Sequence, residues 1–140
     1  SIEREPVVIN ELLDEIQEEF ACIPDEDRMQ LMINFPDKVT VNGNLSLLGS
    51  IFRNLTENAI SYSEGSAIHI ALAENSPRYC RIIFEDDGVG VDEKNLPRLF
   101  ERFYRVDKGR SRNKGGTISV SNRLDGGLRF EFTLEKRNNL

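Results

Sequence analysis

The chain of 140 residues has no tryptophan, one histidine and two cysteines, and each scarcity closes off a class of chemistry. Cys22 and Cys80 stand far apart, outside any CxxC spacing and without a histidine nearby. Neither zinc nor a disulfide framework is expected, and both read as reduced, half-buried thiols of a cytosolic domain. His69 sits in the alternating run Ala67-Ile68-His69-Ile70-Ala71-Leu72, so it reads as a strand position rather than a catalytic or phosphate-accepting group. No apolar run approaches the roughly 18–20 residues that cross a bilayer, so no direct membrane contact is expected from this stretch. No GxxxxGK[ST] occurs, which excludes a Walker phosphate loop. Internal repeats and low-complexity tracts are absent too. Basic residues are outnumbered, 18 Lys and Arg against 24 Asp and Glu, and the net charge of −6 argues against a nucleic-acid binder.

What remains is ordinary globular composition, enough for one domain over residues 1–140 with its own core. In chain order, Glu5–Asn10 reads as a short strand. An amphipathic helix over Asn10–Cys22 follows, capped by Asn10 and burying Ile9, Leu12, Leu13, Ile16 and Phe20. Gln30–Phe35 and Lys38–Val41 read as strands joined at the turn dipeptide Pro36-Asp37. Asn44 is placed to cap a central helix that ends at Glu64-Gly65. Ser66–Glu74 and Arg78–Glu85 form a hairpin signal around Asn75-Ser76-Pro77. A second amphipathic segment spans Asp92–Tyr104, and strands Thr117–Asn122 and Leu128–Leu134 close the chain. Helices interleave with hairpins, which predicts an α+β two-layer sandwich with a mixed, mostly antiparallel sheet.

Three constellations carry chemistry. In the central helix Leu48, Ile51, Phe52, Leu55 and Ala59 make one buried stripe. Beside it Asn54 and Asn58 stack with Ser61, and Tyr62 points the same way. Two carboxamides at a core edge can line a cleft and offer oxygens to a hard cation, although alone they also read as a solvated flank. Next, Asp86-Asp87-Gly88-Val89-Gly90-Val91 leaves a strand through glycines that permit close backbone approach to a ligand. Its carboxylates can accept from an exocyclic amine, and an ordinary acidic turn is the plainer reading. Last, Leu99-Phe100-Glu101-Arg102-Phe103-Tyr104-Arg105 pairs an aromatic face with guanidiniums suited to phosphate. The basic loop after it, Arg105 to Gly116, suits an anionic ligand or a solvated linker.

In this order, N-x-x-x-N-A-x-x-Y-S, then D-x-G-x-G-V after a strand, then L-F-E-R-F-Y-R, the chain resembles the catalytic, ATP-binding domain of bacterial sensor histidine kinases (HATPase_c, within the GHKL ATPase superfamily). The resemblance covers nearly the whole chain. It implies a Bergerat-type fold, a sheet of about five strands covered on one face by helices. It implies ATP as ligand and Mg²⁺ bridging the phosphates, with Asn58 as metal ligand and Asn54 beside it as the catalytic pair. Tyr62 would pack near the adenine, and Asp86 would accept its amino group. Gly88 and Gly90 would admit the backbone, while Arg102, Arg105 and Lys108 would reach the phosphates. Residues 105–116 would form the lid. The partners implied are a histidine-bearing dimerisation domain of the same protein and a response regulator, in a cytoplasmic domain of an inner-membrane protein.

Three positions depart from the family pattern. Ser61 stands where a phosphate-holding Lys is common, and Asp87 where Asn is usual. The second glycine motif, with the long helix it opens, has no counterpart: Lys114-Gly115-Gly116-Thr117 runs straight into a strand. An unrecorded gap near 114–116, roughly one long helix of 15–20 residues, is therefore expected. The resemblance leaves two other readings: another GHKL ATPase of gyrase, chaperone or anti-sigma-kinase type, or a degenerate module that binds nucleotide or partner without catalysis.

Overall fold

The computed structural model describes residues 3–24, 29–99 and 116–136. Strand β1 (Glu5–Val8) leads directly into helix α1 (Ile9–Ala21). Strands β2 (Gln30–Asn34) and β3 (Thr40–Gly43) precede the central helix α2 (Leu45–Tyr62). Then come β4 (Ala67–Asn75), β5 (Tyr79–Asp86), a 3₁₀ turn at Glu93–Asn95, β6 (Gly116–Asn122) and β7 (Leu128–Glu135). Residues 96–99 continue that turn as helix, so the start of the expected Asp92–Tyr104 segment is helical and the rest lies outside the described residues.

The main sheet has five strands in the order β2-β4-β5-β7-β6, and β1 pairs with β3 in a separate two-stranded sheet. Every pairing is antiparallel except β2 with β4. The expected α+β sandwich is what the chain forms. One face of the main sheet presents Ile68, Ile70, Ile82, Phe84, Phe130, Phe132 and Leu134 to the helices, all of them buried. Phe52 of α2 is fully buried against this face. Its ring lies 4.9 Å from Phe84 and 5.7 Å from Phe132, centroid to centroid, and this trio fixes where α2 lies. The opposite face carries charge, including Arg81–Glu131 at 2.8 Å and Arg123–Glu85 at 3.2 Å.

Asn44 caps α2 as expected, its carboxamide oxygen accepting the Leu47 N–H at 2.9 Å. Asn10 does not cap α1. Val8 occupies that position without a side-chain bond, and the Ile9 N–H donates to the Val39 carbonyl at 2.9 Å. With the orphan amide met by backbone from another segment, Asn10 turns outward instead. It accepts from Val39 N at 2.8 Å and donates to Asp37 O at 3.0 Å, clasping the loop after β2. Pro36-Asp37 joins β2 to β3 as expected, with a bend at Asp37, and the two strands then part: β2 joins the main sheet and β3 the small one. Cys22 is exposed and Cys80 buried, so neither is half-buried as expected; both are free thiols, and burial pushes Cys80 up to about 11. His69 is an exposed position on β4, opposite Glu85.

Truncating the aromatic at the centre of the trio should leave a cavity between α2 and the sheet. Phe52→Ala is expected to lower unfolding free energy by about 3–5 kcal/mol in urea melts. A loss under about 1 kcal/mol would mean that α2 is not anchored there.

Candidate functional site

Strand β5 delivers its last residue, Asp86, to the helix-covered side of the sheet, opposite Ile68 and on the face of Phe84. Asp86 is only 9% accessible there, and a buried carboxylate needs donors. Oδ1 accepts from Gly88 N at 2.9 Å and from Leu128 N at 3.3 Å. Among the described residues Oδ2 takes no donor, which leaves an acceptor oxygen for a ligand.

The chain then passes through the glycine turn, packed against the end of α2. Val89 N donates to Ser63 O at 2.7 Å. A Cβ on Gly88 would lie 2.1 Å from that same carbonyl oxygen, so no larger residue fits without moving the turn. Gly90 has φ +70°, the left-handed region that favours glycine. Asp87 faces outward and staples the turn to the start of β4. Its carboxylate accepts from Ser66 N at 2.7 Å, Ser66 Oγ at 2.5 Å and Ala67 N at 2.9 Å. The Ser66 hydroxyl foremost, with the Ala67 amide next, holds its carboxyl down at about 2.

Between α2 and this turn lies a cavity of about 220 Å³. Helix α2 lines it with Leu55, Asn58, Ala59 and Tyr62, and the turn with Asp86, Gly90 and Val91. Leu99, Leu128 and Phe130 complete the apolar lining. Drug-sized ligands fill pockets of about 300–1,000 Å³, so this one suits a single planar ring system with the rest of its ligand outside. Asn58 is half-exposed, and Tyr62, 73% accessible, stands at the rim.

The structure thus brings together Asn58, Tyr62, Asp86 and Gly90, with Gly88 behind them. Ser61 is exposed and lines a second cavity of about 850 Å³ on the other flank of α2, beside Arg53, Ile60 and Phe20. Asn54 sits one turn before Asn58, outside the lining of either cavity. Arg102, Arg105, Lys108 and the lid up to residue 115 lie outside the described residues, and Gly116 already belongs to β6. Sequence reasoning missed the Ser63 carbonyl, Leu128 and Phe130. The Asp86–Leu128 bond spans 42 residues, a pairing that no local motif displays.

Among the described residues no cluster of three or more His, Cys, Asp or Glu side chains exists to hold a metal unaided. A divalent cation at this cleft would take few protein oxygens, the neutral Asn58 carboxamide foremost, and the rest from ligand and water. That donor set fits Mg²⁺, which keeps most of its shell from phosphate and solvent.

The depressed Asp87 pKa makes a pH prediction. The folded value, about 2, lies below the ordinary 3.8, so ionised Asp87 stabilises the fold above about pH 4 and loses that contribution as pH falls through 2. The gap in thermal stability between wild type and Asp87→Ala should stay constant from pH 7 to about 4, then close toward pH 2. A gap undiminished at pH 2 would show that the neutral acid makes the same bonds.

Comparison with known proteins places this geometry. The family model of histidine kinase-, DNA gyrase B- and HSP90-like ATPases matches residues 43–138. The phosphate regulon sensor protein PhoR of Pseudomonas aeruginosa is 34% identical over 117 residues, which cover 82% of this chain and 26% of PhoR. The chain therefore spans about a quarter of that relative's length. The crystal structure of the ATP-binding domain of PrrB from Mycobacterium tuberculosis superposes with a TM-score of 0.80 at 24% identity, covering 97% of this chain and 99% of PrrB's. Histidine kinase ThkA, in its complex with response regulator protein TrrA, gives 0.78 at 20% identity over 96% of this chain and 42% of ThkA's. These structures share the fold, and the family match extends over more than half of the sequence, including both the asparagine helix and the glycine turn. The chain belongs to the histidine kinase-, DNA gyrase B- and HSP90-like ATPase family.

Proposed function

We propose that this chain is the catalytic domain of a two-component sensor histidine kinase, which binds ATP with Mg²⁺ and presents its γ-phosphoryl group to a histidine on a separate dimerisation domain of the same protein. The observation that carries the reading is the open Oδ2 of Asp86 at a ring-sized cavity between α2 and the glycine turn. There Asp86 accepts from the exocyclic amine of adenine, while Leu55, Ala59, Leu128 and Phe130 exclude water from the ring. Tyr62 covers the rim.

The phosphates run out past Asn58, whose carboxamide oxygen would hold Mg²⁺, with Asn54 one turn away; when bound, the ion neutralises phosphate charge. Ser61, on the other flank of α2, takes no part in holding the phosphates in this reading. Arg102, Arg105 and Lys108 are proposed to supply the cations that the described part of the cleft lacks. In the transfer, the bond between the γ-phosphorus and its bridging oxygen breaks as a histidine nitrogen bonds to phosphorus, and ADP leaves. This chain contributes positioning and electrostatics, with no covalent step of its own.

The likeness to ThkA, solved with a response regulator, supports a response regulator as the next acceptor. Among the described residues no helix is long and apolar enough to cross a membrane. A cytoplasmic domain of an inner-membrane sensor is the proposed setting. A glycine motif and helix between the lid and β6, near residues 114–116, complete the proposal. In its support, Ile118 and Val120 of β6 are only half-buried, while their cross-strand partners Phe132 and Phe130 are buried.

Calorimetric titration with ATP, with and without Mg²⁺, tests the site. Wild type should bind in a Mg²⁺-dependent way, and Asn58→Ala should weaken that binding by about tenfold or more, as loss of a charge-assisted contact does. Affinity that ignores both Mg²⁺ and the substitution would sink the proposal.

A further inference from the structure

The backbone between the glycine turn and the 3₁₀ turn at Glu93–Asn95 belongs to no helix or strand. Its polar groups still need partners. Asp87 N donates to Ala67 O and Val89 N to Ser63 O, so the first half of the turn is tied to the α2–β4 junction. The second half, Gly90 and Val91, is the part that walls the ring-sized cavity opposite α2. It is held from another direction. Asn122, the last residue of edge strand β6, accepts from Val91 N through Oδ1 at 3.0 Å and donates through Nδ2 to Val91 O at 2.7 Å.

One carboxamide thus pairs with both polar groups of one residue, as a neighbouring strand would. Among the described residues, Val91's N–H and C=O have no other partner. A Cβ on Gly90 would lie 2.6 Å from Asn122 Oδ1, so the carboxamide also abuts the residue that adopts the left-handed φ. The next residue, Arg123, donates through Nη1 to Asp86 O at 2.9 Å, so the β6–β7 turn grips both ends of the loop.

We infer that Asn122 is a positioning residue for the nucleotide base: it never needs to touch the ligand, and it sets the wall formed by Gly90 and Val91 at the distance from α2 that the ring requires. The inference rests on the nucleotide reading given above. The carboxamide supplies the acceptor and the donor on two separate atoms, whereas Asp lacks the donor for Val91 O and Leu leaves both backbone groups bare.

The test uses Asn122→Ala in this chain with two readouts. The first is affinity for adenosine and for ATP with Mg²⁺, by calorimetry. Both should weaken by a common factor of about tenfold, the net worth of one or two hydrogen bonds, with the Mg²⁺ dependence of ATP binding unchanged. The second is amide hydrogen exchange without ligand. The Val91 amide should exchange at least about tenfold faster, while Ile82 and Phe84 amides in β5 keep their protection and so report an intact fold.

Unchanged affinity for adenosine would overturn the inference, whether or not Val91 exchange accelerates. So would a loss confined to ATP, because the residue would then act at the phosphates. Loss of β5 protection together with affinity would overturn it as well, reducing Asn122 to a general stabiliser. Wild type that binds neither ligand would overturn the nucleotide reading and this role together, whereas wild type that binds and a variant that binds equally well overturns this role alone.

Discussion

A carboxylate at the buried end of a strand cannot be left without donors, and the donors that Asp86 takes organise the whole cleft. One comes from Gly88, two residues on, and bends the chain back on itself at once. The other comes from Leu128 at the start of β7 and fixes the β6–β7 turn beside the glycine turn. Both bonds fall on Oδ1, so the same satisfaction that lets Asp86 be buried leaves Oδ2 without a donor among the described residues. In the proposed reading, structural need and ligand recognition divide one side chain between its two oxygens.

The opposite wall depends on packing rather than polarity. Phe52 wedges α2 against Phe84 and Phe132, two strands' worth of aromatic surface, and so sets the height of the helix over the sheet. From that seat Leu55 and Ala59 turn toward the cavity and Asn58 toward its mouth. The C-terminal end of α2 then meets the glycine turn through Ser63 O and Val89 N. Core, helix and turn are therefore one mechanical unit, and they wall the cavity between them.

Much of this was legible in the sequence where the cause is local. The 3.6-residue stripe from Leu48 to Ala59, the Asn44 cap and the strand running into Asp86 each carry their reason within a few residues, and all three stand as read. The failures share a different cause. Asn10 looked like a cap because nothing nearby shows that Val39 O already serves the first amide of α1. That the strands on either side of Pro36-Asp37 part into different sheets was equally hidden, because the parallel partner of β2 lies beyond α2, in β4. Within the site, Leu128 and Asn122 went unremarked for the same reason: their partners are 42 and 31 residues away. Ser61 had the right helical spacing to join Asn58, yet it lines the cavity on the other flank of α2.

In the proposed reading Asp86, held through Oδ1, reads the base through Oδ2. Adenine offers an amine at the position where guanine offers a carbonyl, so a carboxylate there should attract the first and repel the second. The most direct measurement is the ratio of ATP to GTP affinity in wild type and in Asp86→Asn. Wild type should favour ATP by at least about tenfold, and the variant, whose amide can meet either base, should lose most of that preference. An equal affinity for the two nucleotides in wild type, or a preference that survives the substitution unchanged, would contradict the claim.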